Sequence, residues 1–186
     1  GCLLINDANL VERAEIIREK GTNRSKFYRG QVDKYSWVDI GSSFLPGELT
    51  AAFLHAQLSV AEKITKSRLK LWAKYHDSFE GAEFKGRVTR PTIPDYCEHN
   101  GHMYYLILRD SDDRDSFIRH MARNQISCVF HYIPLHNSVY GLKHSRFLGD
   151  LKITNNLSSR LVRLPMWVGL ECEQDKVIKT ALEYLN

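Results

Sequence analysis

Apolar residues change their spacing several times along the 186-residue chain. The sequence opens on an unbroken run, Cys2-Leu3-Leu4-Ile5, which predicts a buried strand. Asn6-Asp7 then offers a cap for a helix from about Ala8 to Lys20. Leu10, Ala14 and Ile17 fall on one face of that helix, and Gly21 is placed to end it. From Thr22 to Gly47 the periodicity lapses, and Arg, Lys, Tyr, Ser and Gly dominate. Loops longer than roughly 12–15 residues are uncommon in compact domains and are usually functional or packed against something else. Helical spacing returns from Glu48 to about Phe79, through Leu49, Ala52, Phe53, Ala56, Val60, Ile64, Leu71, Trp72 and Tyr75. A single helix of that length reaches roughly 45 Å. It suits a bridge between domains, or to a subunit interface, better than the core of one small domain. Pro91, Pro94 and Gly101 then interrupt the pattern.

From His102 onward, strand-like and helix-like segments alternate. Met103–Leu108 predicts a strand, Asp112–Asn124 a helix with Phe117, Ile118 and Met121 inward, and Ile126–Tyr132 a second strand. Asn155–Leu164 predicts a helix ended by Pro165, and Gln174–Leu185 a closing helix. The fold class expected is α/β, a small sheet covered by helices on one side. Three segments follow: the tail of one domain over 1–47, a long linking helix over 48–80, and a small C-terminal α/β domain over 81–186. A domain usually starts with loose polar residues. A chain opening on Gly1 and an apolar strand is therefore expected to be truncated.

Composition adds few constraints. A 43% hydrophobic and 26% charged chain is ordinary for a globular protein. No apolar run approaches the roughly 20 residues that span a bilayer, and no basic stretch precedes an apolar core at the start. Neither a membrane nor a secretory role is indicated, and a cytoplasmic location is expected. A net charge of +4 suits a small anionic ligand but falls short of the dense basic footprint of a nucleic-acid binder. Cys2, Cys97, Cys128 and Cys172 form no CxxC pair, so no zinc or dithiol site is encoded locally, and free thiols in a reducing compartment are expected.

Three segments carry candidate chemistry. In Val129–His136 a strand runs into Pro134, which forces the chain to leave the sheet. His131, Tyr132 and His136 there can face a cleft and hydrogen-bond a ligand. Structural or capping histidines are the competing reading, and a metal site lacks a third ligand at suitable local spacing. In Trp37–Phe44, Gly41-Ser42-Ser43 precedes the long helical pattern, where amides and hydroxyls can meet a phosphate. A plain helix cap competes, and no Walker or GxGxxG fingerprint is present. The third segment interleaves Arg24, Lys26, Phe27, Tyr28, Arg29, Lys34, Tyr35 and Trp37. Such a cluster can stack on a base and pair with a diphosphate; a solvated loop competes, and a single-stranded nucleic-acid surface has no other support.

These segments resemble one family. FHYIPLH (Phe130–His136), RLPMW (Arg163–Trp167) and GSSFLPGELTAAFLHAQL (Gly41–Leu58) are similar, in this order, to motifs of the DegT/DnrJ/EryC1/StrS nucleotide-sugar aminotransferases. The resemblance covers essentially the whole chain. It implies the C-terminal portion of a fold-type-I pyridoxal-phosphate enzyme, with 1–47 as the tail of its large cofactor-binding domain. Ala14–Ser43 resembles the branch that aminates dTDP-4-keto-6-deoxyglucose at C4, with glutamate as donor, to give the 4-amino-4,6-dideoxygalactose nucleotide of enterobacterial common antigen and lipopolysaccharide sugar biosynthesis. The resemblance further implies a homodimer with active sites between subunits. Ser43, with Ser42, stands where the family often has an asparagine reaching the cofactor phosphate of the partner subunit. His131 and His136 are implied to face the sugar cleft, with Tyr132 beside them. Arg29, Lys34, Tyr35 and Trp37 are candidates for nucleotide-sugar contacts.

In the family the Schiff-base lysine lies shortly upstream of the opening strand, and the aspartate that pairs with the pyridinium nitrogen lies further upstream. No lysine of this chain stands in that context, so the resemblance implies no catalytic residue within it. Pyridoxal phosphate is accordingly expected in the parent enzyme rather than bound to this chain alone. Two alternatives stay open: a pyridoxamine-phosphate-dependent sugar dehydratase of the same family, and a non-catalytic, self-associating domain.

Overall fold

A computed structural model describes residues 1–186. The chain divides into two compact units, residues 1–59 and 60–186.

In the first unit the helix expected over 8–20 forms as a 3-10 turn at Ala8–Leu10 followed by α1 (Val11–Arg18). Asp7 caps it, its carboxylate accepting from the Asn9 amide at 2.9 Å. Lys20 and Gly21 both take left-handed backbone angles (φ 63° and 75°), and the Gly21 amide closes the last turn by donating to the Ile16 carbonyl at 2.9 Å. The strand expected over 2–5 does not form. A strand needs a neighbour for its amides and carbonyls, and none pairs with this run; Leu3 and Leu4 stand 75% and 84% exposed. The segment after α1 holds one short helix, α2 (Arg24–Tyr28), and two antiparallel bridges, Glu19 with Ser43 and Thr22 with Trp37. The unit closes with α3 (Glu48–Leu58).

The single helix expected over 48–79 is two helices. α3 stops at Leu58 and α4 runs Ala61–Ser78. Between them Val60 leaves helical geometry (φ −119°, ψ 16°), and the Ser59 hydroxyl donates back to the Ala56 carbonyl at 2.9 Å. A hydroxyl that bonds the preceding turn, followed by a stiff β-branched residue, disfavours propagation at this point. No α3 residue is buried, whereas α4 buries Leu71 and Tyr75.

The second unit continues with α5 (Glu80–Phe84), β1 (Tyr104–Ile107), α6 (Ser111–Arg123), β2 (Val129–Phe130), a 3-10 turn at Leu135–Asn137, α7 (Val139–His144), α8 (Lys152–Arg160), β3 (Leu161–Leu164) and α9 (Gln174–Leu185). The sheet is antiparallel with order β1-β3-β2. Residues 161–164, expected as the end of a helix, are its central strand. Val162 and Leu164 point inward opposite Leu106 and Tyr104, and Pro165, which has no amide to donate, ends the ladder. β2 is shorter than the expected 126–132: β3 has only the four residues Leu161–Leu164 between α8 and Pro165, and two of them, Val162 and Arg163, pair with β2.

Alternate residues of β1 and β3 are fully buried, so only one sheet face carries the core. Tyr75, Phe79 and Tyr104 stack there with ring centroids 5.2–6.2 Å apart. Phe117 and Met121 of α6 and Ala181 and Leu185 of α9 pack on them. Fully burying each large side chain contributes about 1.5–3 kcal/mol. α6 starts at Asp110, whose carboxylate accepts from the Asp113 amide at 2.8 Å. Buried Gln174 is satisfied by donating to the Leu71 carbonyl at 2.6 Å, which ties α9 to α4.

Candidate functional site

Within the first unit, Gly41-Ser42-Ser43 lies against the end of α1. The Lys20 amide donates to the Ser42 carbonyl (3.1 Å), the Ser42 amide to Ile17 (3.0 Å) and the Phe44 amide to Arg18 (3.2 Å). Glycine is required on both sides of this contact. A Cβ on Gly41 would lie 2.1 Å from the Gly21 nitrogen, and one on Gly21 would lie 1.8 Å from the Asp39 carbonyl oxygen. The bridge engages the amides of Ser42 and Phe44, while the Ser43 amide and both serine hydroxyls make no hydrogen bond within the chain. Two hydroxyls and one amide on an exposed turn are a donor set that fits a phosphate oxygen.

The basic-aromatic segment is partly self-satisfied. Arg29 grips Glu15 with both terminal nitrogens (3.0 and 2.7 Å), and that hydrogen bond, with the guanidinium charge, holds the Glu15 carboxyl below its usual range. Arg24 donates to the Tyr28 hydroxyl and lies over the rings of Tyr28 and Tyr35 (5.1 and 5.9 Å). Tyr35 also meets Phe27 edge-on at 5.6 Å. Lys34 makes no ion pair, and Trp37, bridged to Thr22 through its backbone, leaves its indole 78% exposed. A separate open cleft of about 780 Å³ in this unit is lined by Leu3, Ile5, Leu10, Ala14, Ile17 and Phe44, among others.

Within the second unit, His131, Tyr132 and His136 are brought to the end of β2. The His131 and Tyr132 rings lie 5.6 Å apart, and Tyr132 is 74% exposed. His136 Nε2 meets the Asn155 Oδ1 at 2.8 Å, and the Asn137 side-chain Nδ2 donates to the same oxygen at 2.6 Å. An amide oxygen only accepts, so Nε2 is the donor in this bond and Nδ1 is left without a partner in it. Two residues were not among the sequence candidates: Asn155 of α8, which orients His136, and Arg163 of β3, whose guanidinium lies 5.6 Å over the Tyr132 ring. Arg163 was visible only as part of RLPMW; its contact with Tyr132 is made across the sheet and has no local signal.

A second cleft, of about 410 Å³, is lined by Trp72, His76, Glu83, Arg90 and His99 with their neighbours. Arg90 holds it together, donating to Glu83 (2.6 Å) and to the His76 carbonyl (2.7 Å). Burial, aided by the Arg90 charge, pushes the His76 imidazole below its usual range. Burial likewise pushes the Cys128 thiol up to about 12, which makes it a packing group rather than a nucleophile. No three His, Cys, Asp or Glu side chains converge as a metal site, and no helix is long and apolar enough to cross a membrane.

The fold recurs among known proteins. The backbone follows a DegT DnrJ EryC1 StrS aminotransferase from Brucella abortus with a TM-score of 0.81 at 24% identity, over 98% of this chain and 45% of that one. It also follows a putative sugar aminotransferase from Streptococcus pneumoniae, solved in a PLP-form, with a TM-score of 0.76 at 18% identity, over 100% of this chain and 45% of that one. The fold is thus the α/β fold of a portion of a pyridoxal-phosphate aminotransferase, as expected from the sequence. Residues 1–183 match the DegT/DnrJ/EryC1/StrS aminotransferase family, and the chain belongs to it. A relative in Aneurinibacillus thermoaerophilus, dTDP-3-amino-3,6-dideoxy-alpha-D-galactopyranose transaminase, is 24% identical over 99% of this chain and 46% of its own length. The chain spans less than half the length of each of these relatives.

Proposed function

We propose that these residues are part of a pyridoxal-phosphate-dependent aminotransferase that converts dTDP-4-keto-6-deoxyglucose to dTDP-4-amino-4,6-dideoxygalactose, with glutamate as amino donor, in the enterobacterial common antigen and lipopolysaccharide sugar pathway of the cytoplasm. Family membership supports the aminotransferase class. The observation that carries the reading is the stretch leaving β2, where half-buried His131 lies beside exposed Tyr132 and His136 follows, held by Asn155. Such a set suits a polyhydroxylated ring, which needs several donors and acceptors at fixed positions. The name of the Aneurinibacillus relative supports a dTDP-sugar as the substrate class.

In this reading residues 1–47 belong to the cofactor-binding domain and 81–186 form the small domain. Ser42 and Ser43 donate to the cofactor phosphate of a partner subunit in a homodimer. His131, Tyr132 and His136 wall the sugar pocket, and the Asn155 side-chain oxygen holds the His136 ring through Nε2. Lys34, Tyr35 and Trp37 meet the nucleotide; Arg29 reaches it only by leaving Glu15. Pyridoxal phosphate, when bound, supplies the electron sink for moving the amino group. The lysine that holds it is supplied from outside these 186 residues.

The test is turnover of glutamate with the keto-sugar, with the product weighed by mass spectrometry. The 186-residue chain is expected to show none, and no saturable visible band on adding pyridoxal phosphate. A longer protein containing it is expected to yield the amino-sugar, and Ser43→Ala is expected to weaken its cofactor binding by about tenfold, as loss of a charge-assisted hydrogen bond does. Turnover by the short chain sinks the division of labour. A deoxygenated, nitrogen-free product from the longer one sinks the aminotransferase reading in favour of a dehydratase.

A further inference from the structure

The sheet holds a cation with no counter-charge. Arg163 stands on the central strand, paired across the ladder with Tyr105 of β1 and Val129 of β2. Its side chain is half-buried; Nε is shielded from solvent without a hydrogen-bond partner, and no carboxylate pairs with the guanidinium. Arg160 and Arg114 share a shielded Nε without a hydrogen-bond partner, but these neighbouring arginines differ in having other partners for the guanidinium. Arg160 donates to the Arg109 carbonyl (3.1 Å) and to Asn156 (2.7 Å), Arg109 is paired with Asp113 (2.9 Å), and Arg114 with Asp115 (2.6 Å). The one contact that fixes the Arg163 fork is the Tyr132 ring, 5.6 Å away. His131, packed on that same ring, has its own Nδ1 buried without a partner.

A partly desolvated guanidinium with unused donors is costly unless an acceptor arrives. Its planar fork matches the paired oxygens of a phosphate or a carboxylate, and stacking on an aromatic face leaves the fork edge available while fixing its plane. Placement on the central strand holds that plane more rigidly than a loop does. We infer that Arg163, oriented by Tyr132 and flanked by His131, is the residue that binds an anionic oxygen pair of the substrate at the end of β2. The identity of that substrate rests on the nucleotide-sugar aminotransferase reading, which offers two sources: the diphosphate of the nucleotide sugar and the carboxylate of the amino donor.

The experiment needs no turnover, so it separates this inference from that reading. The 15N-labelled 186-residue chain is titrated with inorganic pyrophosphate and, separately, with acetate, following the Arg163 Nε–H and the His131 ring resonances. Saturable shifts of both with pyrophosphate assign the diphosphate; saturable shifts with acetate alone assign the carboxylate. Arg163→Gln is expected to weaken whichever binding is seen by about tenfold or more, since hydrogen bonds to charged groups are lost. Arg163→Lys keeps the charge but not the fork and is expected to recover only part of it. Amide dispersion of residues 104–107 and 161–164 in both variants reports whether the sheet is intact. No shift at Arg163 with either anion, or binding undiminished in a folded Arg163→Gln chain, overturns the inference.

Discussion

Residues 60–186 bury nineteen apolar side chains, and residues 1–59 bury none. The two units nevertheless carry secondary structure of similar kind, with capped helices and antiparallel pairing in both. What separates them is how they are held. The second unit rests on a contiguous core in which Tyr75, Tyr104, Phe117 and Val162 are fully enclosed. The first rests on backbone bridges and on exposed ion pairs, Arg13 with Asp39, Lys26 with Glu12 and Arg29 with Glu15. Exposed pairs contribute little to stability, whereas apolar burial is the dominant favourable term in folding. Sequence motifs lie in both units, so motif content says nothing about which part of a chain is self-supporting.

The largest expected effect is in amide hydrogen exchange. Amides of β1, β3 and α6 are expected to exchange only through global opening of the second unit, while those of 1–59 open at close to zero cost. The difference in protection is expected to reach about a thousandfold or more; protection of α1 equal to that of α6 would break the comparison. Next comes a pair of truncations followed by chemical denaturation. Phe117→Ala is expected to cost about 3–5 kcal/mol, and Phe44→Ala, at an exposed position of the first unit, less than about 0.5 kcal/mol.

Smaller still is the effect at Asp113, which is 8% exposed. Burial pushes its carboxyl up, but hydrogen bonds from Arg109 (2.9 Å) and the Tyr184 hydroxyl (2.8 Å), with the Arg109 charge, outweigh burial and hold it below the usual range. A carboxyl depressed in the folded state stabilises above its unfolded value, near 3.9, and that stability is lost as pH falls through the folded value. Asp113→Asn is expected to cost about 1.5–3 kcal/mol at neutral pH and to flatten the acid limb of a stability-against-pH curve. An unchanged acid limb would remove Asp113 from the account.

Much of the second unit was legible because its signals are local. Gln174–Leu185 shows a helical stripe with clear ends, and the structure has a helix over the same residues. Met103–Leu108 and Asp112–Asn124 were each placed within two residues. The failures share a cause. Leu161 and Leu164 fit a helical face as well as a strand, and only Tyr104 and Leu106 opposite them decide the matter. Cys2–Ile5 has strand composition but no ladder within the chain. The apolar stripe of 48–79 runs through Ser59-Val60 without a break in phase, so the interruption is set by geometry rather than by pattern. For the candidate site, His131, Tyr132 and His136 could be named because Pro134 marks the strand end. Asn155 and Arg163 could not, since each acts through a partner distant in sequence.

The contact between Gly21 and Gly41 has a further meaning for how such a chain can diverge. It pins both ends of the stretch from Thr22 to Ile40, so that stretch is a closed loop hung from a fixed clasp. Doubling the length of a flexible loop costs only about 0.6 kcal/mol in closure entropy. A lineage can therefore lengthen the loop around residues 32–34, away from the ion pairs of Lys26, Arg29 and Asp39, and change what it meets, while the two serine hydroxyls keep their position. The clasp makes one part of the surface freely editable by mutation and leaves the part beside it constant.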